Sequence, residues 1–330
     1  MTFRALLLVT LLLAGGWSAY WWVGANRKEA EITGWFEDRR AEGWVAEVDT
    51  LSVSGYPNRF DTVFRGIDLA DPVAGWSWQA ARFNILSLSY QPNHLILTFP
   101  GVQTVETPEG GVTLEGGVLR ASVEATLQGV ITQLIAEGSA LAVNSDIGGA
   151  SVERVSLAAR DEDGGAQRFG LNLVNARLDA GARMMLDPAD LFPETVERVL
   201  FDATVRFDEP LVLPLVTDIP AVNEIMLTSA NMVWGEAEFR AQGAVTRGAD
   251  DRADGEIEIR LRDWRRMLRA LKASGRFSGE VVAGLELGLG FLAQLSGGDS
   301  GLEVTLVFED GVTRIGPFEL GPAPVMALPG

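Results

Sequence analysis

The amino terminus constrains this chain more than any other part of it. Arg4 precedes an uncharged apolar stretch from Ala5 to Val23 that ends in Trp17, Tyr20, Trp21 and Trp22. As a helix this stretch rises about 28 Å, close to the ~30 Å hydrocarbon core of a bilayer. Trp and Tyr at its end suit the membrane–water interface. A secretory signal is the competing reading, with Leu6–Ala14 as its apolar core and Val23, Gly24 and Ala25 as the small-residue site. Four bulky aromatics between core and site favour a retained anchor. Arg4 on one flank nearly balances Arg27 and Lys28 on the other, so the charge rule barely orients the helix. Export of the large remainder places the body outside the cytoplasm, giving a single-pass inner-membrane protein with its bulk in the periplasm.

Composition narrows the possible partners. With 45 acidic against 27 basic residues the net charge is -18. Such a chain cannot neutralise phosphates over a broad surface, which argues against nucleic acid. It is also repelled as a whole from anionic head groups. There is no cysteine, so the fold must rest on its own core rather than on disulfides.

Residues 26–43 continue as a juxtamembrane helix: Ile32, Trp35 and Phe36 recur at helical spacing and Gly43 is placed to stop them. From Trp44 the pattern changes to period two. Leu119, Ala121, Val123 and Ala125 oppose Arg120, Ser122 and Glu124, and Phe201, Ala203, Val205 and Phe207 oppose Asp202, Thr204, Arg206 and Asp208. Ala237, Phe239 and Ala241 alternate with Glu236, Glu238 and Arg240, as do Ile257, Ile259 and Leu261 with Glu256, Glu258 and Arg260. Each set reads as a strand with one wet and one buried face. The expected fold is mainly β, a β-rich α+β body: an extended, curled antiparallel sheet with a few packed helices, over 44–330 as a single domain.

Helices are expected at four places in that body. Asp187 as N-cap and Pro188 open one, with Leu191, Phe192, Thr195, Val196, Val199 and Leu200 as its stripe. Leu127, Val130, Ile131, Leu134 and Ile135 suggest a second, stopped by Gly138. Asp263 caps a third to about Ser274, and Ser278–Leu295 forms a fourth. Tyr56-Pro57-Asn58 and Tyr90-Gln91-Pro92-Asn93 read as turns, as do Gly148-Gly149 and the acidic run Asp161–Gly165.

Two stretches carry apolar residues on both faces, Phe83–Tyr90 and Leu95–Phe99. A sheet covered on both sides is the plain explanation. The alternative is an apolar groove for lipid or an acyl chain lined by Phe83, Ile85, Leu86, Leu88, Leu95, Leu97 and Phe99. A basic cluster stands out in this acidic chain: Arg260, Arg262, Arg265, Arg266, Arg269, Lys272 and Arg276. On the third helix Arg262, Arg265, Arg266, Arg269 and Lys272 form a contact face for anionic lipid or an acidic partner, or pair with the chain's own acids.

Catalytic patterns are poor. His94 is the sole histidine, follows a Pro-Asn turn, and reads as structural. Gly298-Asp299-Ser300-Gly301 echoes a serine-protease nucleophile motif but lacks the flanking residues and a paired base. Gly288-x-Gly290-x-x-Ala293 fits a relaxed dinucleotide fingerprint with no βαβ unit after it. Asp250, Asp251 and Asp254 before Gly255 make an acidic turn rather than a calcium loop. No catalytic residue, metal or cofactor is expected. The leading expectation is a non-catalytic envelope protein that binds lipid or an acyl chain. An interaction or scaffold module for another envelope protein comes second, and a carboxylate-dependent hydrolase is a distant third.

Gly43-Trp44, Ser54-Gly55-Tyr56-Pro57-Asn58-Arg59-Phe60-Asp61, Trp76-Ser77-Trp78, Leu88-Ser89-Tyr90-Gln91-Pro92-Asn93-His94 and Leu320-Gly321-Pro322-Ala323-Pro324 together resemble the DUF2125 family over nearly the whole chain. The resemblance implies a membrane-tethered protein of the Gram-negative envelope and supplies no catalytic residue.

Overall fold

The computed structural model describes residues 3–126, 128, 130–162, 165–209, 220–275, 279–296 and 301–326. Among them are four helices and seventeen strands, and every strand pairing given below is antiparallel. The mainly β class with a preceding apolar helix is therefore borne out. The chain divides into two compact units, residues 1–124 and 125–330. No Gly- or Pro-rich spacer marks that division in the sequence.

In the first unit, helix α1 (Phe3–Ala41) runs unbroken through the apolar stretch and the juxtamembrane segment. It is long and apolar enough to cross a membrane. Gly43, with φ +93°, takes the left-handed conformation that ends it, and the Trp44 amide closes the turn onto the Arg39 carbonyl. Strand β1 (Val45–Ser54) then runs back along the helix and pairs with β2 (Arg59–Asp71), which pairs with β3 (Trp76–Leu88). β3 pairs with both β4 (Gln91–Thr98) and β5 (Gln103–Thr107). β5 continues to β6 (Gly110–Glu115), and β4 pairs with β7 (Val118–Ala125). Tyr56-Pro57-Asn58 is a turn, its Tyr56–Pro57 bond cis. In the second motif the turn is Ser89-Tyr90, and Gln91-Pro92-Asn93 already belongs to β4.

Ile32 and Phe36 of α1 cover the face formed by Ala46, Phe64, Ile67, Leu69 and Ala80, with Phe83 and Ile85 packed alongside. The inward set of β2 runs Phe60, Thr62, Phe64 and then Ile67, Leu69, changing parity at Gly66. Gly66 has φ +60°, and a Cβ there would collide with the Asp49 carboxylate. This crease reverses which residues face inward without breaking the ladder.

The second unit forms a ladder of successive neighbours: β8 (Ile131–Ser145), β9 (Gly148–Glu162), β10 (Ala166–Leu178), β11 (Thr195–Phe207), β12 (Val222–Trp234), β13 (Ala237–Arg247), β14 (Ala253–Arg262) and β15 (Leu302–Glu309). β16 (Val312–Ile315) and β17 (Phe318–Pro322) complete it. One face is apolar from strand to strand. Helices α2 (Ala180–Leu186), α3 (Trp264–Ser274) and α4 (Gly279–Ser296) lie beside it. Phe192, Trp234 and Ala270 form one core, and Trp264, Leu268, Leu289, Leu302 and Ile315 form another. Val245, Ala253, Phe308, Ala323 and Met326 make a third.

Two expected helices are corrected. Residues 187–200 are not one: Asp187 ends α2 as its C-cap, accepting the Phe192 amide at 2.7 Å, and Thr195 begins β11. A second crease explains the error. Asn175 has φ +50° and faces Glu197 between the pairs Val174–Arg198 and Ala176–Val196. The inward set of β11 therefore steps from Val196 to Val199 before resuming alternation at Phe201 and Ala203, and that three-residue step imitates a helical stripe. The helix expected over Val130–Ile135 is the start of β8. Leu127 of that stripe lies outside the described residues. Leu134 and Ile135 belong to opposite faces of the strand, and apolar residues on both faces again mimic the helical pattern.

The third helix is present as α3. Asp263 precedes it in a left-handed conformation and makes no side-chain cap; its carboxylate meets the Arg266 guanidinium at 3.0 Å. The fourth is present as α4, and Ser278 lies outside the described residues.

Candidate functional site

The open part of the second unit's apolar face is the best-formed candidate site. Cross-strand neighbours bring Leu134, Ala159, Phe169 and Ala203 into one row, and Ala136, Leu157, Leu171 and Phe201 into the next. A cavity of about 340 Å³ lies over them, lined by Ile131, Leu134, Leu157, Phe169, Leu171 and Phe201. Leu157 is 46% and Phe201 37% exposed, although both belong to the face that is buried elsewhere in the ladder. Thr132, Asp161 and Gln167, neighbours across β8, β9 and β10, bound one side with polar groups.

The same face continues past Phe201 through Val199 and Met232, which are direct cross-strand partners. Beyond them a second cavity of about 270 Å³ is lined by Phe192, Met232, Trp234, Phe239, Met267 and Leu271. From β8 to β13 the face crosses five inter-strand spacings, or roughly 24 Å.

The reverse face of these strands carries most of their charged groups, set around Ile135, Ala158 and Leu200 in a depression of about 390 Å³. Arg168 donates two hydrogen bonds to Asp202 at 2.8 and 2.6 Å, and Arg206 meets Glu224 at 3.2 Å. The hydrogen bonds from Arg168, with its charge, hold the Asp202 carboxyl below the usual aspartate value of 3.8. The ion pairs thus lie on the face away from the trough, as the alternation of the strands requires.

The seven residues expected to line a groove in the first unit do not share one face. The pairs Ile85–Leu97 and Leu86–Ile96 put Phe83, Ile85, Leu95, Leu97 and Phe99 on one side and Leu86 and Leu88 on the other. Phe83 and Ile85 pack against the core that α1 closes, and the Phe83 and Phe99 rings lie 5.1 Å apart. Leu86 and Leu88 line a shallow 170 Å³ depression with Arg59, Gln91, His94 and Ile96.

His94 sits in β4, with Nε2 2.8 Å from Ser122 Oγ and Nδ1 3.8 Å from Glu124 Oε1. The sequence gives no hint of this serine–histidine–glutamate arrangement, whose members meet only through the β4–β7 pairing. Its Ser122 lies within a paired stretch of strand, where backbone amides serve the ladder instead of converging on an oxyanion.

The basic residues near α3 mostly meet the chain's own acids. Arg260 contacts Glu303 at 2.9 Å, Arg262 contacts Glu238 at 2.7 Å and Lys272 contacts Glu286 at 3.6 Å. Arg262 ends β14 and so is not on the helix, correcting its expected place. Arg265 lies over the Trp264 ring at 4.6 Å, and Arg269 is exposed. Arg276 lies outside the described residues.

The remaining motifs take structural roles. Gly288 and Gly290 lie inside α4, where Gly288 packs closely on Ile315, and Ala293 is in the core. Asp250 accepts the Arg252 amide in the turn between β13 and β14, while Asp251 faces Arg247. Gly297–Ser300 lies outside the described residues, as do Asp163 and Gly164 of the acidic turn. Among the described residues no group of three metal-ligating side chains is placed to hold an ion.

No curated protein and no solved structure matches the chain. A family model does match, over residues 21–324, and its description is an uncharacterized protein conserved in bacteria. Nearly the whole body is covered, including the strands that build the apolar trough and the turns that carry the family-like motifs, so the chain belongs to the DUF2125 family.

Proposed function

We propose that this is a non-catalytic, single-pass protein of the inner membrane whose periplasmic body holds a lipid acyl chain on the second unit's apolar face. The observation that carries the reading is the trough from Leu134 through Leu157 and Phe201 to Met232 and Phe239, with large apolar side chains left open to water. Apolar surface left uncovered forfeits about 25 cal/mol per Å². An occupant is therefore favoured, and a membrane-tethered body has acyl chains within reach. The trough's length of roughly 24 Å exceeds half the ~30 Å hydrocarbon core, so one extended chain fits along it. Thr132, Asp161 and Gln167 flank it along one side over β8, β9 and β10, where a lipid's polar part would lie.

Full-length protein purified with membrane fragments in a detergent-free polymer should carry co-purifying lipid, read by mass spectrometry. Leu157→Asp should lose that lipid while melting at nearly the parent temperature, because Leu157 is half exposed already. Equal lipid in both proteins contradicts the reading. Loss of a co-purifying protein instead of a lipid supports the interaction-module alternative.

A further inference from the structure

We infer that the β1–β2 and β3–β4 turns of the first unit are themselves seated in the membrane–water interface, with Tyr56 and Tyr90 among the lipid head groups. The inference rests on the membrane-anchor reading of α1 and adds a second contact between body and bilayer.

The argument begins with where α1 is held. Trp17 Nε1 donates to the Pro57 carbonyl at 2.8 Å, Trp21 Nε1 to the Arg59 carbonyl at 2.7 Å, and Tyr20 Oη to the Ser89 carbonyl at 3.2 Å. Ser18 Oγ and Tyr56 Oη are 2.8 Å apart, and Trp21 stacks on Phe60 at 5.9 Å. Phe60 also closes on Gly24, where a Cβ would lie 2.9 Å from its ring. Residues 17–24 of α1 are thus bound to the two turns and the start of β2.

Element lengths explain the coincidence. From Ala41 back to Tyr20 the helix falls about 32 Å, and β1 returns about 33 Å. The first turn therefore lands at the aromatic band.

Between the charge of Arg4, which stays out of hydrocarbon, and this contact the apolar part of α1 is too short to span alone. Residues 5–16 rise about 18 Å, against a hydrocarbon core of ~30 Å. Spanning therefore draws residues 17–23 to the outer boundary of the bilayer, and the turns bonded to them come along. Their chemistry suits that depth. Gly55-Tyr56-Pro57-Asn58 and Ser89-Tyr90-Gln91-Pro92-Asn93 hold no carboxylate in a chain of net charge -18, and Arg59 adjoins them. Tyr56 is 56% and Tyr90 61% exposed, and tyrosine is enriched at membrane interfaces. Lys28, one step further out, hydrogen-bonds Ser87 at 3.3 Å; burial lowers its pKa below the usual lysine value, partly opposed by Asp61.

The cysteine-free chain allows a direct test by single labelling. Asn58→Cys places an environment-sensitive fluorophore on an exposed position of the first turn, and Gln91→Cys places it at the exposed start of β4, directly after the second. Val73→Cys places it in the turn at the other end of the β2–β3 pair. Full-length protein is reconstituted into phosphatidylethanolamine–phosphatidylglycerol vesicles containing lipid spin-labelled near the head group. Quenching several-fold stronger at positions 58 and 91 than at 73 is expected. Protein that floats with the vesicles but quenches equally at all three positions overturns the seating alone. Protein that does not float overturns the anchor reading as well.

Discussion

The two units bury the same kind of sheet face by different means. In the first, α1 supplies the second layer: Ile32 and Phe36 close over Phe64, Ile67 and Ala80, and the helix then continues into the apolar stretch. In the second, α2, α3 and α4 cover part of the face and Val325–Met326 lie near its other border, while Leu157 and Phe201 remain open. A sheet with one apolar face needs a partner layer. Where the chain provides that layer the face is core, and where it does not the face stays open, the part we propose as a binding surface.

The largest expected effect tests the covered face. Phe36 is 4% exposed and its ring lies 6.3 Å from that of Phe64. Phe36→Ala should cost about 3–5 kcal/mol in denaturant unfolding of the first unit. A loss below about 1 kcal/mol would mean that the helix does not serve as a core layer.

Next comes the inside–outside assignment of the second unit. Ile259 pairs with Ala241 and Val304 on the apolar face, whereas Glu258 is exposed on the other. Ile259→Asp should destabilise by about 2 kcal/mol or more, because a carboxylate then replaces apolar packing. Glu258→Ala should stay within about 0.5 kcal/mol. Similar costs would refute the face assignment.

A smaller effect is expected at the open face. Phe201→Ser should shift stability by less than about 1 kcal/mol in lipid-free protein, against several for a buried Phe. A large loss without lipid would show that Phe201 is core and close the proposed trough.

The smallest effect is electrostatic and sits on the reverse face. The folded pKa of Asp202 is depressed by Arg168, so their pairing contributes stability above the unfolded value near 3.8 and loses it as pH falls through the folded value. Asp202 is 25% and Arg168 50% exposed at the side chain, so solvent screening keeps the contribution small. Comparing acid-unfolding curves of wild type and Arg168→Gln should show the difference at neutral pH vanishing in strong acid. A constant difference down to the lowest pH would contradict the assigned cause.

Much of this architecture is legible in the residues. The alternations at Leu119–Ala125, Phe201–Phe207, Ala237–Ala241 and Ile257–Leu261 all prove to be strands, and the apolar run and Gly43 mark the helix and its end. Misreadings gather where alternation fails. At Asn175–Glu197 a crease turns a step of two into a step of three, and β11 then reads as a helix. At Leu134 and Ile135 both faces of the strand are apolar. The trough escapes notice for a related reason: its rows join β8, β9, β10 and β11, so no short window contains them. Leu157, Ala159, Phe169 and Leu171 carry the local signal, but register alone reveals that they face the same space. His94, Ser122 and Glu124 likewise meet only through pairing.

The central claim is that the uncovered face holds lipid, not protein. Its most direct test replaces Phe201 with the photoreactive p-benzoylphenylalanine, irradiates intact envelope membranes, and identifies the adduct by mass. The account predicts a shift equal to one membrane lipid, abolished by Leu157→Asp. Crosslinks exclusively to another polypeptide, or a lipid adduct unaffected by Leu157→Asp, would contradict it.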